Sequence, residues 1–425
     1  MTQPVPHLTT ALAGPLHAVE SHLQDRQAEI ESWFRRQWRH ISEPFYTSVD
    51  IRNAGYKIAP VDTNLFPAGF NNLNPVFQPL CIQAVQLAVE RMTSRVDRVV
   101  IVPENHTRNR FYLESLAALQ KIIEKAGFEV RLGSILAGLE KPMTVPLPSR
   151  RHLVYEPLRR EQNRVCIDDF IPDLVILNND LSSGRPAMLE GLDQAVTPPL
   201  KMGWSDRLKS AHFTNYKGVA GEFAQHIDMD PWLIEPMFRN CGEIDFMKRE
   251  GEACLTKNVE ALIKAIQLKY DEYDVKCRPY VMLKAEAGTY GMGVMTVKSP
   301  DEIGELNRKQ RTRMATVKEG RKVTKVLIQE GVYTHETWGS DAAVAEPVVY
   351  LIGHNVVGGF YRVHTRRGAD ENLNSPGMRF ESLAFDDCCI SPEKSLAPDA
   401  HPNRFYAYGV IARLALIAAA REIAG

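Results

Sequence analysis

The chain reads as α/β in its first half and α+β in its second. Three observations carry this. Residues Arg98 to Ile135 run strand, polar loop, helix, strand (RVVIVP, ENHTRN, RFYLESLAALQKIIEKAG, FEVRLGSI), the pattern of a right-handed β-α-β unit with parallel strands. EPVVYLIG, NVVGGFYRV and ESLAF follow one another late in the chain as strands of an antiparallel sheet. Between these regions, VMLKAEAGTYGMGVMTV (Val281 to Val297) places two apolar strands around a glycine-rich loop.

The elements follow in order. Thr9 to His40 is charged and helix-permissive. TSVDIRNAGYKIAPVDTNLFPAGFNNLNP is rich in Asn, Gly, Pro and Asp, and reads as turns. PVFQPLCIQAVQLAVERM has helical spacing, and Gly127 suits the C-terminal end of the helix within 98–135. PDLVILNNDLSSG (Pro172 to Gly184) repeats the strand-then-polar-loop theme. Polar loops at the carboxyl ends of such strands are where open α/β sheets bind ligands. VTPPLKMGW reads as a connection, so the expected domains are 1–200 and 201–425. In the second, a helix covers about Glu250 to Tyr270, and Ser299-Pro300-Asp301-Glu302 opens another. KVLIQEGV is a buried strand, and FYAYGVIARLALIAAAREIAG is a buried closing helix.

Composition narrows the function. The chain has 425 residues, 44% apolar and 24% charged, with a net charge of −1. That balance argues against a nucleic-acid or membrane-surface partner held by bulk charge. The 7 cysteines contain no CxxC pair, and neighbours Cys388 and Cys389 are poorly placed for a mutual disulfide. A reducing cytoplasm fits, with no signal peptide and no bilayer-length apolar stretch. The 12 histidines show no metal-ligand spacing. Ser210 and His212 stand too close together to argue for a triad, and buried structural thiols are the commoner fate of cysteines such as 388 and 389.

The chemistry is concentrated in the second half. Lys284 precedes Gly288, Gly291 and Gly293, whereas a GxxxxGK[ST] phosphate loop puts its lysine after the glycines and a dinucleotide fingerprint leads into a helix. A strand-loop-strand hairpin with glycines can instead fold its backbone N–H groups over phosphates, with the strand lysine as a point charge. A mobile hairpin with a solvated lysine is the alternative. Arg207-Leu208-Lys209-Ser210 offers another phosphate cation, and the main chain at Gln329-Glu330 can meet an adenine edge. Arg362 follows, then Asp370-Glu371-Asn372-Leu373-Asn374, whose hard oxygens suit Mg²⁺.

This order resembles the ATP-grasp superfamily. VDTNLFPAGFNNLNP, VPENHTRNRFYLESL, KAEAGTYGMGVMTV, QEGVYTHE with AEPVVYLIG, and ENLNSPGMRFESLAF together resemble one ATP-grasp-like family, the proteobacterial type of glutamate–cysteine ligase. The resemblance implies an ATP-grasp-like second half behind a parallel-sheet domain of the pre-ATP-grasp type. It implies ATP and Mg²⁺ as cofactors, and glutamate and cysteine as substrates. Lys209 and Lys284 would contact the phosphates under the Gly288–Gly293 loop. Gln329, Glu330 and Val332 would hold the adenine, with Glu330 as the side-chain contact. Arg362 would steady the transferring phosphoryl group, and Glu346, Glu371 and Asn374 would hold the metal. The superfamily's Glu-x-Asn is here Glu371-Asn372-Leu373-Asn374.

The first half would then bind the amino acids. Arg52 and Lys57 would pair with carboxylates and Asp62 with an ammonium, while Asn64, Asn71 and Asn72 would hydrogen-bond the substrate. The competing reading is that these Asn and Asp residues cap turns around Pro67 and Gly69. Glu104, Arg108 and Asn109 follow a strand and fall under the same two readings. The alternatives in function are another ligase on this scaffold, such as a glutathione synthetase, a kinase that stops at phosphorylation, or a nucleotide-binding module without turnover. A homo-oligomer is left open.

Overall fold

The computed structural model describes residues 10–11, 16–93, 95–105, 108–287, 292–316, 320, 322–383 and 404–425. Mixed α/β structure is built around three main sheets. The central sheet is antiparallel, in the spatial order Arg379–Ser382, Asn355–His364, Ala343–Ile352, Tyr46–Asn53, Ile58–Asn64. It therefore draws strands from both sides of residue 200, and that boundary does not separate the sheets.

The hairpin Tyr46–Asn53 and Ile58–Asn64 lies within a segment whose composition reads as turns. A two-residue alternation overrides that composition. Val49 and Ile51 point into the core, while Ser48, Asp50 and Arg52 face the other way. The same alternation runs across the sheet. Ala345, Val349, Leu351, Tyr361 and Val363 pack against helices Lys209–His226 and Phe405–Ala424. The closing helix is apolar over most of its surface because it packs against both this sheet and helix Lys209–His226. Glu346, Arg362 and Asp62 stand on the opposite face, where the site forms.

The unit at 98–135 is as expected. Arg98–Pro103, Glu129–Ser134, Leu174–Asn178, Ala195–Thr197 and His152–Pro157 pair in parallel, with Met143–Pro146 antiparallel at one edge. Helix Arg110–Lys125 covers the sheet with Leu113, Leu116, Leu119, Ile122 and Ile123. The Asn109 carboxamide accepts from Tyr112 N at 3.2 Å and caps the helix.

The third sheet runs Phe238–Gly242, Lys325–Glu330, Val281–Ala285, Val294–Val297, antiparallel throughout. Its back packs on helix Glu252–Glu272. Gly288 and Gly291 of the expected loop lie outside the described residues, as do Cys388 and Cys389. Gly293 has φ +63°, a left-handed value that favours glycine as the chain re-enters the strand.

Candidate active site

The open face of the central sheet meets the face of the third sheet that carries Lys284. In the central sheet, Glu346 lies directly across from Arg362, and Asp50 across from Asp62. In the third sheet, Lys284 and Met282 share one face, and Gln329 sits opposite Met282. Lys209 comes from the first residue of its helix. A narrow cavity of about 80 Å³ lies among Asp62, Lys209, Lys284, Gln329, Glu346 and Arg362, with Arg52, Glu330, Val332 and Asn374 also on its wall. Elements from residue 50 to residue 374 thus converge on one space.

Its charges alternate. The Asp62 carboxylate stands 3.6 Å from Lys209 Nζ. Burial opposes its charge, but Lys209 and Lys284 outweigh burial and hold its pKa below the usual range. Among the described residues the Lys209 ammonium has no acceptor within hydrogen-bond distance, and it lies 3.7 Å over the Trp204 ring. Burial pushes its pKa down against the pull of Asp62. Lys284 Nζ donates to the Val61 carbonyl at 2.5 Å, and burial pushes its pKa down to about 8. Arg362 Nη1 donates to both Asp50 (2.7 Å) and Glu346 (2.5 Å), and among the described residues its buried Nε has no partner. Burial works to raise the pKa of Glu346, yet the guanidiniums of Arg52 and Arg362 keep it low. Asp50 moves the other way, raised by burial despite Arg362.

A second cavity of about 530 Å³ adjoins the first and shares Asp50, Asp62, Arg362 and Asn374 with it. Its wall is mixed. Phe66, Tyr350, Phe360 and Phe380 supply aromatic surface, and Asn64, Asn71, Asn72, Asn109 and Asp180 supply polar groups. Asn64 also closes a local turn through Phe66 N at 2.9 Å, and Asn71 donates to Asn72 at 3.2 Å. A third space of about 770 Å³ beside Gly293 is lined by Arg313, Arg367, Ser375 and again Asn374.

Several expected residues are placed differently. Arg52 is a buried cross-link rather than a free carboxylate receptor. Its Nε meets Glu346 at 3.0 Å, Nη1 donates to the carbonyls of Val332 (3.1 Å) and Ala369 (3.3 Å), and Nη2 donates to the Glu371 carbonyl (2.5 Å). The Glu330 carboxylate is spent on Lys57 Nζ (2.8 Å), Trp232 Nε1 (3.1 Å) and Met237 N (2.9 Å), which also removes Lys57 from any substrate. The Glu371 carboxylate holds Arg367 (2.6 Å) and Gly368 N (2.8 Å), and it lines none of the three spaces. Arg207 grips Glu422 at 2.9 and 3.0 Å. Among the described residues, Glu104 accepts from Asp180 N at 3.2 Å, and Arg108 lines neither adjoining cavity.

Sequence reasoning missed Asp50, Trp204, Tyr350 and Asp180. Asp50 had a usable signal in the alternation of Ser48-Val49-Asp50-Ile51-Arg52. The others had none, because a long-range cleft selected them. Among the described residues, no cluster of three or more His, Cys, Asp or Glu side chains holds a metal unaided. Nor is any described helix long and apolar enough to cross a membrane.

A family model described as GshA, glutamate-cysteine ligase, matches residues 20–423. The chain belongs to this family. It is 56% identical over 99% of both chains, with a TM-score of 0.87, to the 1.90 Å crystal structure of a Methylobacillus flagellatus KT protein provisionally named a gamma-glutamylcysteine synthetase. A glutathione synthetase-like effector from Globodera pallida is 11% identical over 90% of this chain and 87% of its own, at a TM-score of 0.38. D-alanyl-alanine synthetase A from Vibrio cholerae is 10% identical over 76% and 82%, at 0.33. No curated protein matches the chain.

Proposed function

We propose that the chain joins the γ-carboxylate of glutamate to the amine of cysteine at the expense of ATP, through a γ-glutamyl phosphate. The observation that carries this is the meeting of Lys209, Lys284 and Arg362 around one cavity, with a larger mixed-polarity cavity across the shared wall of Asp50, Asp62 and Asn374. Nucleotide in the narrow space and amino acids in the larger one would meet at Arg362.

The chemistry follows from what an amide bond demands. A carboxylate resists attack because it is already an anion. Phosphorylation converts one of its oxygens into a leaving group, and the amine then displaces phosphate. No enzyme nucleophile is needed, so the side chains supply positioning and positive charge. Lys209 and Lys284 are set to neutralise phosphate oxygens, since among the described residues Lys209 has no acceptor within hydrogen-bond distance, only the Asp62 carboxylate at 3.6 Å, and Lys284 has a carbonyl. Arg362 faces both cavities and is fixed by Asp50 and Glu346, which suits a cation bridging donor and acceptor. Asp62 lies on the same boundary and is the residue we assign to a substrate ammonium. Asn64, Asn71 and Asn72 fit the amino-acid side.

The arrangement has an ATP-grasp character, with the nucleotide between two antiparallel sheets. At about 80 Å³ the narrow space is smaller than a nucleotide, so binding has to widen it. The oxygens of Glu346 and Asn374, with Asp50 beside them, have the right chemistry for Mg²⁺, which needs only one or two carboxylates when phosphates and waters complete its shell, but both Glu346 oxygens already hold guanidiniums, so Glu346 would have to release Arg52 or Arg362 to take the metal. Bound there, the metal would neutralise charge on the transferring phosphoryl group. Glu371 is left out of this set.

The test is incubation with ATP, Mg²⁺, glutamate and cysteine, followed by product mass and nucleotide analysis. ADP, phosphate and γ-glutamylcysteine are expected only when both amino acids are supplied. Conversion of ATP to AMP, or no turnover, would overturn the proposal.

A further inference from the structure

Ser115 is 1% exposed on helix Arg110–Lys125, on the side that packs against the parallel sheet. A buried hydroxyl needs partners, and this one finds them far along the chain. Its Oγ accepts from Gly69 N at 2.7 Å and from Phe70 N at 3.1 Å, which uses both lone pairs of the oxygen. The two amides open the short 3₁₀ turn Phe70–Asn72, whose first N–H groups have no acceptor within the turn. Gly69 has no side chain to cap it, so Ser115 caps it from another element.

The turn is also pressed against the central sheet. A Cβ at Gly69 would lie 2.6 Å from the Tyr350 hydroxyl oxygen and 3.0 Å from the Phe360 ring. Just upstream, the Pro67 carbonyl accepts from Asn178 Nδ2 at 3.1 Å. Asn71 and Asn72 then stand on the wall of the larger cavity. Among the described residues their carboxamides bond only each other, at 3.2 Å. Hydrogen bonds therefore fix their place only through the backbone of the turn, and that backbone is held by Ser115.

We propose that Ser115 is a positioning residue for the amino-acid substrate: by holding the Gly69 and Phe70 amides it sets where the Asn71 and Asn72 carboxamides meet that substrate. This rests on the larger cavity being the amino-acid site. Ser115 itself lines neither adjoining cavity, so it acts through the turn and not on a reacting atom.

The experiment uses the full chain and initial rates, with ATP, glutamate and cysteine varied in turn. Ser115→Ala is expected to raise KM for glutamate, for cysteine or for both by about tenfold, the size of one hydrogen bond, with kcat and KM for ATP unchanged. Ser115→Cys, which keeps a weaker acceptor, should fall between. In an Asn71→Ala/Asn72→Ala background, adding Ser115→Ala should cost nothing further, because the groups it positions are gone. A lower melting temperature with all three KM values unchanged, a KM for ATP that rises in parallel, or strictly additive losses would each overturn the proposal. If Ser115→Ala does not fold, the Ser115→Cys values decide. If wild type forms no peptide, the ligase reading falls, and the thermal shift that glutamate and cysteine induce decides this one. A shift that needs about tenfold more amino acid in Ser115→Ala supports it. An equal shift, or none in wild type, overturns it.

Discussion

Arg52 Nε and a Glu346 carboxylate oxygen meet at 3.0 Å with side chains 6% and 4% exposed, and the same carboxylate holds Arg362. Two guanidiniums thus share one buried acid, and through Arg52 that acid is tied to the strand end at Val332 and the loop at Ala369 and Glu371. Removing one partner of a buried pair strands the other. Arg52→Ala is expected to lower unfolding stability by about 3–5 kcal/mol, measured by urea denaturation. Arg52→Lys should fall between, because an ammonium cannot span the five acceptors, the Tyr280 hydroxyl among them, that the guanidinium reaches. A double-mutant cycle with Glu346→Ala should show coupling; strict additivity would contradict the link.

Lys284→Ala is expected to keep the fold, by circular dichroism, and to lose roughly 10²–10³-fold in rate, as when one fixed donor to developing charge is removed. Wild-type turnover would remove Lys284 from the phosphate site.

The same lysine sets a pH dependence. Burial holds its pKa at about 8 against an ordinary 10.5. The charged form binds phosphate, so kcat/KM for ATP should fall as pH rises through about 8. Stability runs the other way. Between about 8 and 10.5 the folded chain binds fewer protons at Lys284 than the unfolded chain, so its contribution to stability increases with pH. Lys284→Arg should move the kinetic break upward. A flat profile through pH 9 would contradict the assignment.

Glu371→Gln is expected to leave kcat and the Mg²⁺ half-saturation within roughly twofold, as for a surface change. Its carboxylate is occupied by Arg367 and Gly368. Asn374→Ala, on the wall of all three spaces, should lose at least about tenfold. Mg²⁺ titration of initial rates separates the two.

Glu330→Ala should act on stability rather than on nucleotide use. It leaves Lys57, 0% exposed, without its acid, at a cost of about 3–5 kcal/mol. Thermal melting should show the loss. An unchanged melting temperature with a raised KM for ATP would restore Glu330 to the base site.

The strand-helix-strand unit and the lysine-glycine hairpin were legible because periodicity and local turn chemistry define them. Lys209 and Lys284 were legible as charges at or near element ends and Arg362 as a charge within an apolar strand, and the fold brings all three to one cavity. What the chain could not reveal was pairing. Arg52, Glu330 and Glu371 look as reactive in sequence as Arg362, but the partners of Arg52 and Glu330 lie far away along the chain, and Glu371 is taken by its near neighbours Arg367 and Gly368. Asp50 was hidden for another reason. The Asn, Gly and Pro of its neighbourhood masked the alternation that makes Tyr46–Asn53 a strand.

The most direct measurement follows oxygen. Glutamate carrying ¹⁸O in its γ-carboxylate is turned over with ATP and cysteine, and the released phosphate is weighed by mass spectrometry. Phosphate carrying one ¹⁸O per turnover is expected, because the oxygen bound to phosphorus leaves when the amine attacks. If the phosphate is unlabelled, or the label appears in AMP, the lysine–arginine cleft does not activate glutamate as an acyl phosphate.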